Sequence, residues 1–255
     1  KAELHNNAVE WYRNRTETAV EKIEFIHHLN ASGNMDTLAD VLQRDGRELV
    51  KSGHIELLGI LRGLESDGFT AIQWGLIREL RGDILSIQGR WDEAEEEYAA
   101  AIPTAKKHKE AEILARLLSA RADIAIKRGA MDDALELHRQ ALEIQIAKRD
   151  AVGASRSYIN MGYIFRRRRD TRHALEVYGN VEELLDAEND PSLIDARVRL
   201  ASAFLEMDEL DRARDHAMAA HDRTKDNGLD TLHARSRAVL GRYYARMKDN
   251  DLALL

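Results

Sequence analysis

Apolar residues recur along this chain at helical spacing, and one unit of the pattern returns about every forty residues. The unit is a turn, a short acidic or polar stretch, and an alanine that opens an apolar stripe. It occurs as GRWDEAEEEYAAAI at 89–102, GAMDDALELHRQALEI at 129–144 and RDTRHALEVYGNVEEL at 169–184. It returns as DELDRARDHAMAA at 208–220 and, cut short, as DNDLALL at 249–255. The alanines are Ala94, Ala134, Ala174, Ala213 and Ala253, and twelve residues before each stands a second small residue: Gly82, Ala122, Gly162, Ala201 and Gly241. Two helices approach at about 8 Å rather than about 10 Å where a small residue faces the partner, so the register predicts tightly packed helix pairs. Large residues share the same stripes. Leu85, Phe165, Phe204 and Tyr244 follow the first small position by three, and Tyr98 and Tyr178 follow the alanine by four. Small and large positions are expected to interlock across each hairpin.

Residues 1–74 lack this register but keep helical patterning. Apolar stripes broken by turn signals at Ser32-Gly33-Asn34 and Ser52-Gly53 predict helices near 2–13, 17–31, 36–51 and 54–64. Composition agrees with an all-α chain. Only Pro103 and Pro191 are present to interrupt helices, and with 5% aromatic residues the core must be mainly Leu, Ile and Ala. Disulfides and thiolate zinc sites are excluded because there is no cysteine, which also fits a cytoplasmic setting. No apolar run approaches the roughly 18 residues of a membrane span, and the first residues carry no signal-peptide stretch. A net charge of −7 opposes general affinity for nucleic acid, whose phosphates reward excess Lys and Arg. The chain begins with Lys1 and stops as a new apolar run starts, so it reads as a piece of a larger polypeptide.

The segment SYINMGYIFRRRRDTRHALEVYGNVEEL, with ALEIQIAKRDAVGASR before it, resembles the tetratricopeptide repeat in its forty-residue variety. The resemblance covers about 75–255 and implies a right-handed superhelical solenoid of antiparallel helix pairs. Repeats would fall at about 75–114, 115–154, 155–193, 194–233 and, truncated, 234–255. The stretches IEFIHHLNASGNMDTLADVL and GRELVKSGHIELLGIL, with the WY before them, resemble the helical arm of STAND-class signal-transduction ATPases. That arm joins a winged-helix domain to a C-terminal sensor array, as in maltose-regulator-like and archaeal members. The resemblance implies a linker region at 1–74 and an ATPase domain upstream in the same chain.

No catalytic machinery accompanies this pattern. The phosphate loop G-x-x-x-x-G-K-[ST] is absent, and no serine sits in a triad-like neighbourhood. His27 and His28 are adjacent and lie on different helix faces, while His216 and His221 are five apart, so neither pair has the i,i+4 spacing of a helical metal site. Runs such as Glu95-Glu96-Glu97 read as solvated helix faces. The expectation is a non-enzyme with no catalytic residue, metal or cofactor.

The chemistry that stands out is YIFRRRRDTRHALEVY at 163–178. By resemblance, the first helix of each pair lines a concave groove. Helical spacing then places Arg156, Ile159, Asn160, Tyr163, Arg166 and Arg167 on the groove stripe of the third pair, with Tyr163 beside Arg166 able to stack a planar group. Arg168 points outward or along the hairpin, and Arg169 occupies the turn held by Gly89 and Gly129 in earlier repeats. The same registration gives Glu79 and Asp83, then Arg116, Asp123 and Lys127, then Asp195, Arg199 and Glu206, and last Arg235, Arg242 and Arg246. A groove acidic at one end and basic at the other follows. The expected contact residues are Arg156, Asn160, Tyr163, Arg166, Arg167, Arg199, Arg235, Arg242 and Arg246. Their partner would be a protein or peptide, or a small anionic effector that regulates the ATPase. The alternatives are a nucleic-acid-binding regulator centred on Arg166 and Arg167, a passive scaffold, and a run that is simply a solvated helix end.

Overall fold

The computed structural model describes residues 2–12, 17–187, 193–225 and 230–247; Pro191, Ala253 and the closing DNDLALL lie outside them. Thirteen α-helices and one 3-10 turn account for the described elements, with no strand among the described residues. The helices are α1 (Ala2–Tyr12), α2 (Ala19–Ser32), α3 (Met35–Lys51), α4 (Leu57–Arg62), α5 (Ala71–Ile87), α6 (Trp91–Lys107) and α7 (Ala111–Lys127). They continue as α8 (Met131–Ala147), α9 (Ala151–Arg167), α10 (Thr171–Ala187), α11 (Ile194–Glu206), α12 (Leu210–Thr224) and α13 (Asp230–Arg246). Two compact units divide the chain between Ile124 and Ala125.

The forty-residue period resolves into two halves of twenty. Helices α5 to α10 are each 17 residues long and are separated by three-residue turns. Each of these turns contains one left-handed residue: Gly89, Lys109, Gly129, Arg149 and Arg169, with φ between 56° and 78°. The amide after it reaches back over the helix end, as Asp170 N–H does to Phe165 O at 2.9 Å and Asp150 N–H to Gln145 O at 2.8 Å. This closure satisfies carbonyls that a helix end would leave orphaned. At Arg169, φ is 59°, so the strain expected of a side chain at this position, about 1–2 kcal/mol relative to glycine, is present.

In unit 1, α5 and α6 form a hairpin in which a Cβ on Gly82 would overlap the ring of Tyr98. Tyr98 is buried, and its hydroxyl donates to Asp83 Oδ1 at 2.7 Å. Burial, and then the charge of Asp83, push this phenol far above its ordinary pKa. Helix α3 packs against α2 and α5, and capping boxes at Thr18–Glu21 and Thr70–Gln73 start α2 and α5. Arg81 of α5 donates to Leu61 O at 3.1 Å and Leu64 O at 3.0 Å, closing the end of α4, while its guanidinium lies 4.7 Å from the centre of the Trp74 ring.

Unit 2 repeats the interlock. A Cβ on Gly162 of α9 would overlap Tyr178 of α10, whose phenol burial pushes up to about 12. Ala134, Ala174, Ala201 and Ala213 are fully buried in one continuous core with Phe165 and Phe204. Gly241, in contrast, is only half-buried. Helices α9, α11 and α13 are the first members of their pairs, and α11 packs against both of the others. That arrangement brings side chains about forty residues apart into contact.

Candidate functional site

The sequence-predicted groove residues of unit 2 lie on these three first helices. Along α9, Arg156, Asn160, Tyr163 and Arg167 follow one another at helical steps; Arg156 and Arg167 are exposed, and Asn160 and Tyr163 are half-buried. Ile159, expected on the same stripe, is buried in the core. Arg166 reaches α11, where Nη1 donates to Ala203 O at 3.3 Å and Nη2 to Glu206 Oε2 at 2.5 Å.

On α11, Arg199 Nε donates to Asp195 Oδ2 at 2.7 Å, and Arg235 of α13 donates to Asp195 Oδ1 at 2.5 Å. Burial alone would raise the Asp195 pKa, but Arg199 and Arg235 reverse this and hold the carboxyl below its ordinary range. Arg242 Nη2 donates to Ser202 Oγ at 3.5 Å, and Arg246 donates to Leu205 O and, at 3.3 Å, to Asp208. The structure thus makes Arg166, Arg235, Arg242 and Arg246 links between neighbouring first helices, while Arg199 stays on α11 and shares Asp195 with Arg235.

The four-arginine run is divided. Arg166 goes to α11, and Arg168 donates to Asp132 at the start of α8 at 2.5 Å. The guanidiniums of Arg167 and Arg169 have no polar partner among the described residues. Together with Arg166, Thr171, Glu206 and Met207 they line a cavity of about 370 Å³. Arg169 and Thr171 were not among the expected contacts, because they sit in the turn and on the second helix of the pair. A basic residue where the two preceding hairpins have Gly89 and Gly129 is the signal that could have marked Arg169.

Unit 1 corrects the expected acidic end. Glu79 is not an open carboxylate but is 3% exposed and clamped by two bidentate arginines. Arg116 donates from Nε at 2.6 Å and Nη2 at 3.2 Å; Arg47 donates at 3.3 and 3.1 Å. Burial would push this carboxyl up, yet Arg116 and Arg47 outweigh it and the net shift is downward. Asp83 is likewise engaged by Tyr98. A cavity of about 290 Å³ beside this clamp is lined by Gln43, Arg47, Gln73, Leu76, Ile113 and Arg116, among others. Gln43 and Arg47 come from α3, outside the forty-residue register, so no spacing argument could reach them.

Histidines meet in a way that local spacing does not show. His5 of α1 and His28 of α2 are 2.8 Å apart through their Nδ1 atoms, and the His27 ring is 5.5 Å from that of His28. Burial, then the nearby His5 and His27, lower the pKa of His28 against the opposing pull of Glu24. Among the described residues, no group of three or more His, Cys, Asp or Glu could hold a metal ion. No helix of the described residues is long and apolar enough to cross a membrane.

Comparison with known proteins places this geometry. Residues 76–147 and 113–187 match the tetratricopeptide repeat model, so this part of the chain consists of tetratricopeptide repeats. Among solved structures, a STAND protein with a tetratricopeptide repeat sensor from Pyrococcus horikoshii shares the fold at TM-score 0.72 and 14% identity. The alignment covers 99% of this chain and 38% of that protein, so the chain spans under two fifths of its length. A Rap protein complexed with Competence and Sporulation Factor aligns at TM-score 0.59 and 13% identity, over 92% of this chain and 74% of that one. The quorum sensor NprR from B. thuringiensis, in its apo form, aligns at 0.55 and 13%, over 92% and 62%. No curated protein matches the sequence.

Proposed function

We propose that this chain is the partner-binding sensor module of a larger signalling protein, seating a protein or peptide along the face formed by α9, α11 and α13. One observation carries the reading: seven arginines lie on three successive first helices, against Asp195, Glu206 and Asp208, in a chain of net charge −7. They are Arg156, Arg166, Arg167, Arg199, Arg235, Arg242 and Arg246, with Asn160 and Tyr163 between them to hydrogen-bond and stack. A local excess of cations in an acidic chain selects an acidic partner and steers its approach. The tetratricopeptide fold supports a binding scaffold, and the likeness to NprR in complex with its cognate peptide NprX supports a sensor of peptides.

The likeness to a STAND protein supports an upstream ATPase as the element that responds. Occupancy regulates such a parent only through different affinity for its two states. A cytoplasmic location follows from this reading.

Panning a random peptide display library on the chain should enrich acidic peptides. Their affinity should fall at least about tenfold in the R235E/R242E variant, two cations being worth roughly 1.4 kcal/mol or more in a partly desolvated contact. Enrichment of peptides without acidic residues, or affinities that the variant leaves unchanged at constant helicity, would overturn the reading. Titration with single-stranded RNA at two salt concentrations separates the nucleic-acid alternative, which requires a steep loss of affinity with salt.

A further inference from the structure

We infer that the cavity at the α9–α10 turn is a receptor for the doubly charged phosphoryl group of a phosphate monoester. The inference rests on the groove reading only through Arg166 and Arg167, because Arg169 and Thr171 belong to the cavity alone. Three guanidiniums and one carboxylate line it. That carboxylate, Glu206, is taken by Arg166 at 2.5 Å. Arg167 and Arg169 are exposed and carry two positive charges with no polar partner among the described residues.

The acid nearest in sequence makes no ion pair with them. Asp170 accepts the His173 backbone N–H at 3.2 Å and pairs with the His173 ring at 2.7 Å. Arg168, between the two, is turned to Asp132. Two uncommitted guanidiniums match the two charges of a monoester, and the Thr171 hydroxyl adds a donor for a further oxygen. A volume of about 370 Å³ lies in the range of small-ligand pockets, leaving room for the esterified group against Met207. Phosphoryl groups of this charge occur on free metabolites and on phosphorylated protein side chains, and the pocket recognises what the two share.

The test is calorimetric titration of the chain with phenyl phosphate, with benzoate as a singly charged control. Phenyl phosphate should bind more tightly than benzoate and strengthen as the pH rises through about 6, where the second proton leaves. R169A should weaken it at least fivefold, while R168A, which lies outside the cavity, leaves it unchanged. Equal losses in R168A and R169A would show diffuse attraction to positive charge and overturn the site, as would benzoate binding as tightly. Tighter binding of single-stranded RNA, sensitive to R169A, would overturn the monoester assignment.

A phosphoserine peptide distinguishes the sources. Affinity at least tenfold above phenyl phosphate assigns the site to a phosphorylated protein, and equal affinity assigns it to a free monoester. If R169A abolishes phosphate binding but acidic peptides still depend on Arg235 and Arg242, both readings stand. Loss of the peptide dependence alone removes the groove and leaves this site.

Discussion

Units 1 and 2 use the same device with opposite balance. In unit 1, Arg47 and Arg116 saturate one buried acid, Glu79. In unit 2, arginines at equivalent places on successive first helices meet too few acids, and Arg167 and Arg169 remain uncommitted. An ion pair between neighbouring first helices can therefore be internal support or the visible part of a binding face. The difference lies in stoichiometry and burial, not in residue type.

The largest test removes the clamp. R47A/R116A leaves Glu79 buried without a partner and should lower the stability of unit 1 by about 3–5 kcal/mol. Because Trp11, Trp74 and Trp91 all lie in unit 1, their fluorescence during urea unfolding follows it selectively, and an unchanged midpoint would show that the clamp does not matter.

The same clamp sets a pH dependence. The Glu79 pKa is lowered on folding, so its contribution is present above the unfolded value of about 4.3 and is lost as pH falls through the lower folded value. In E79Q, the acid limb of the unfolding profile should flatten.

A smaller effect tests whether the two hairpins are equivalent. G82A and G162A each drive a methyl into a tyrosine ring and should cost about 1–3 kcal/mol. Fluorescence should report the first, and circular dichroism, which covers both units, should report both. R169G relieves about 1–2 kcal/mol of left-handed strain, offset in part by the chain entropy glycine loses on folding, and should stabilise by about 1 kcal/mol while removing a ligand of the proposed phosphoryl site. The smallest effect is R235A. Its pair with Asp195 is partly exposed, so the loss should be under about 1 kcal/mol and should shrink with salt. A loss as large as that of the clamp would erase the contrast between the units.

Much of the fold was legible before any coordinates. Gly82 and Gly162 stand under Tyr98 and Tyr178 because only glycine admits a ring so close to a helix backbone, and that pairing shows as a fixed spacing. The four helices expected in residues 1–74 correspond to α1–α4 with ends shifted by a few residues. Half of the turn period stayed hidden, since Lys109 and Arg149 adopt the left-handed conformation without the glycine that advertises it. The site was legible as a stripe but not as a set of partners. Helical spacing placed Arg166 and Arg167 on one face, yet nothing local distinguishes an arginine committed to Glu206 from one left uncommitted.

By itself, then, the amino-acid order determined what depends on near neighbours: helix lengths, the small-to-large interlock within a hairpin, and the position of each side chain around its helix. Tertiary structure decided which charges meet. Arg47 finds Glu79 across 32 residues, and Arg166 finds Glu206 across 40. Such contacts are set by how one helix lies against the next, and a displacement of a few ångströms there exchanges a paired arginine for a free one.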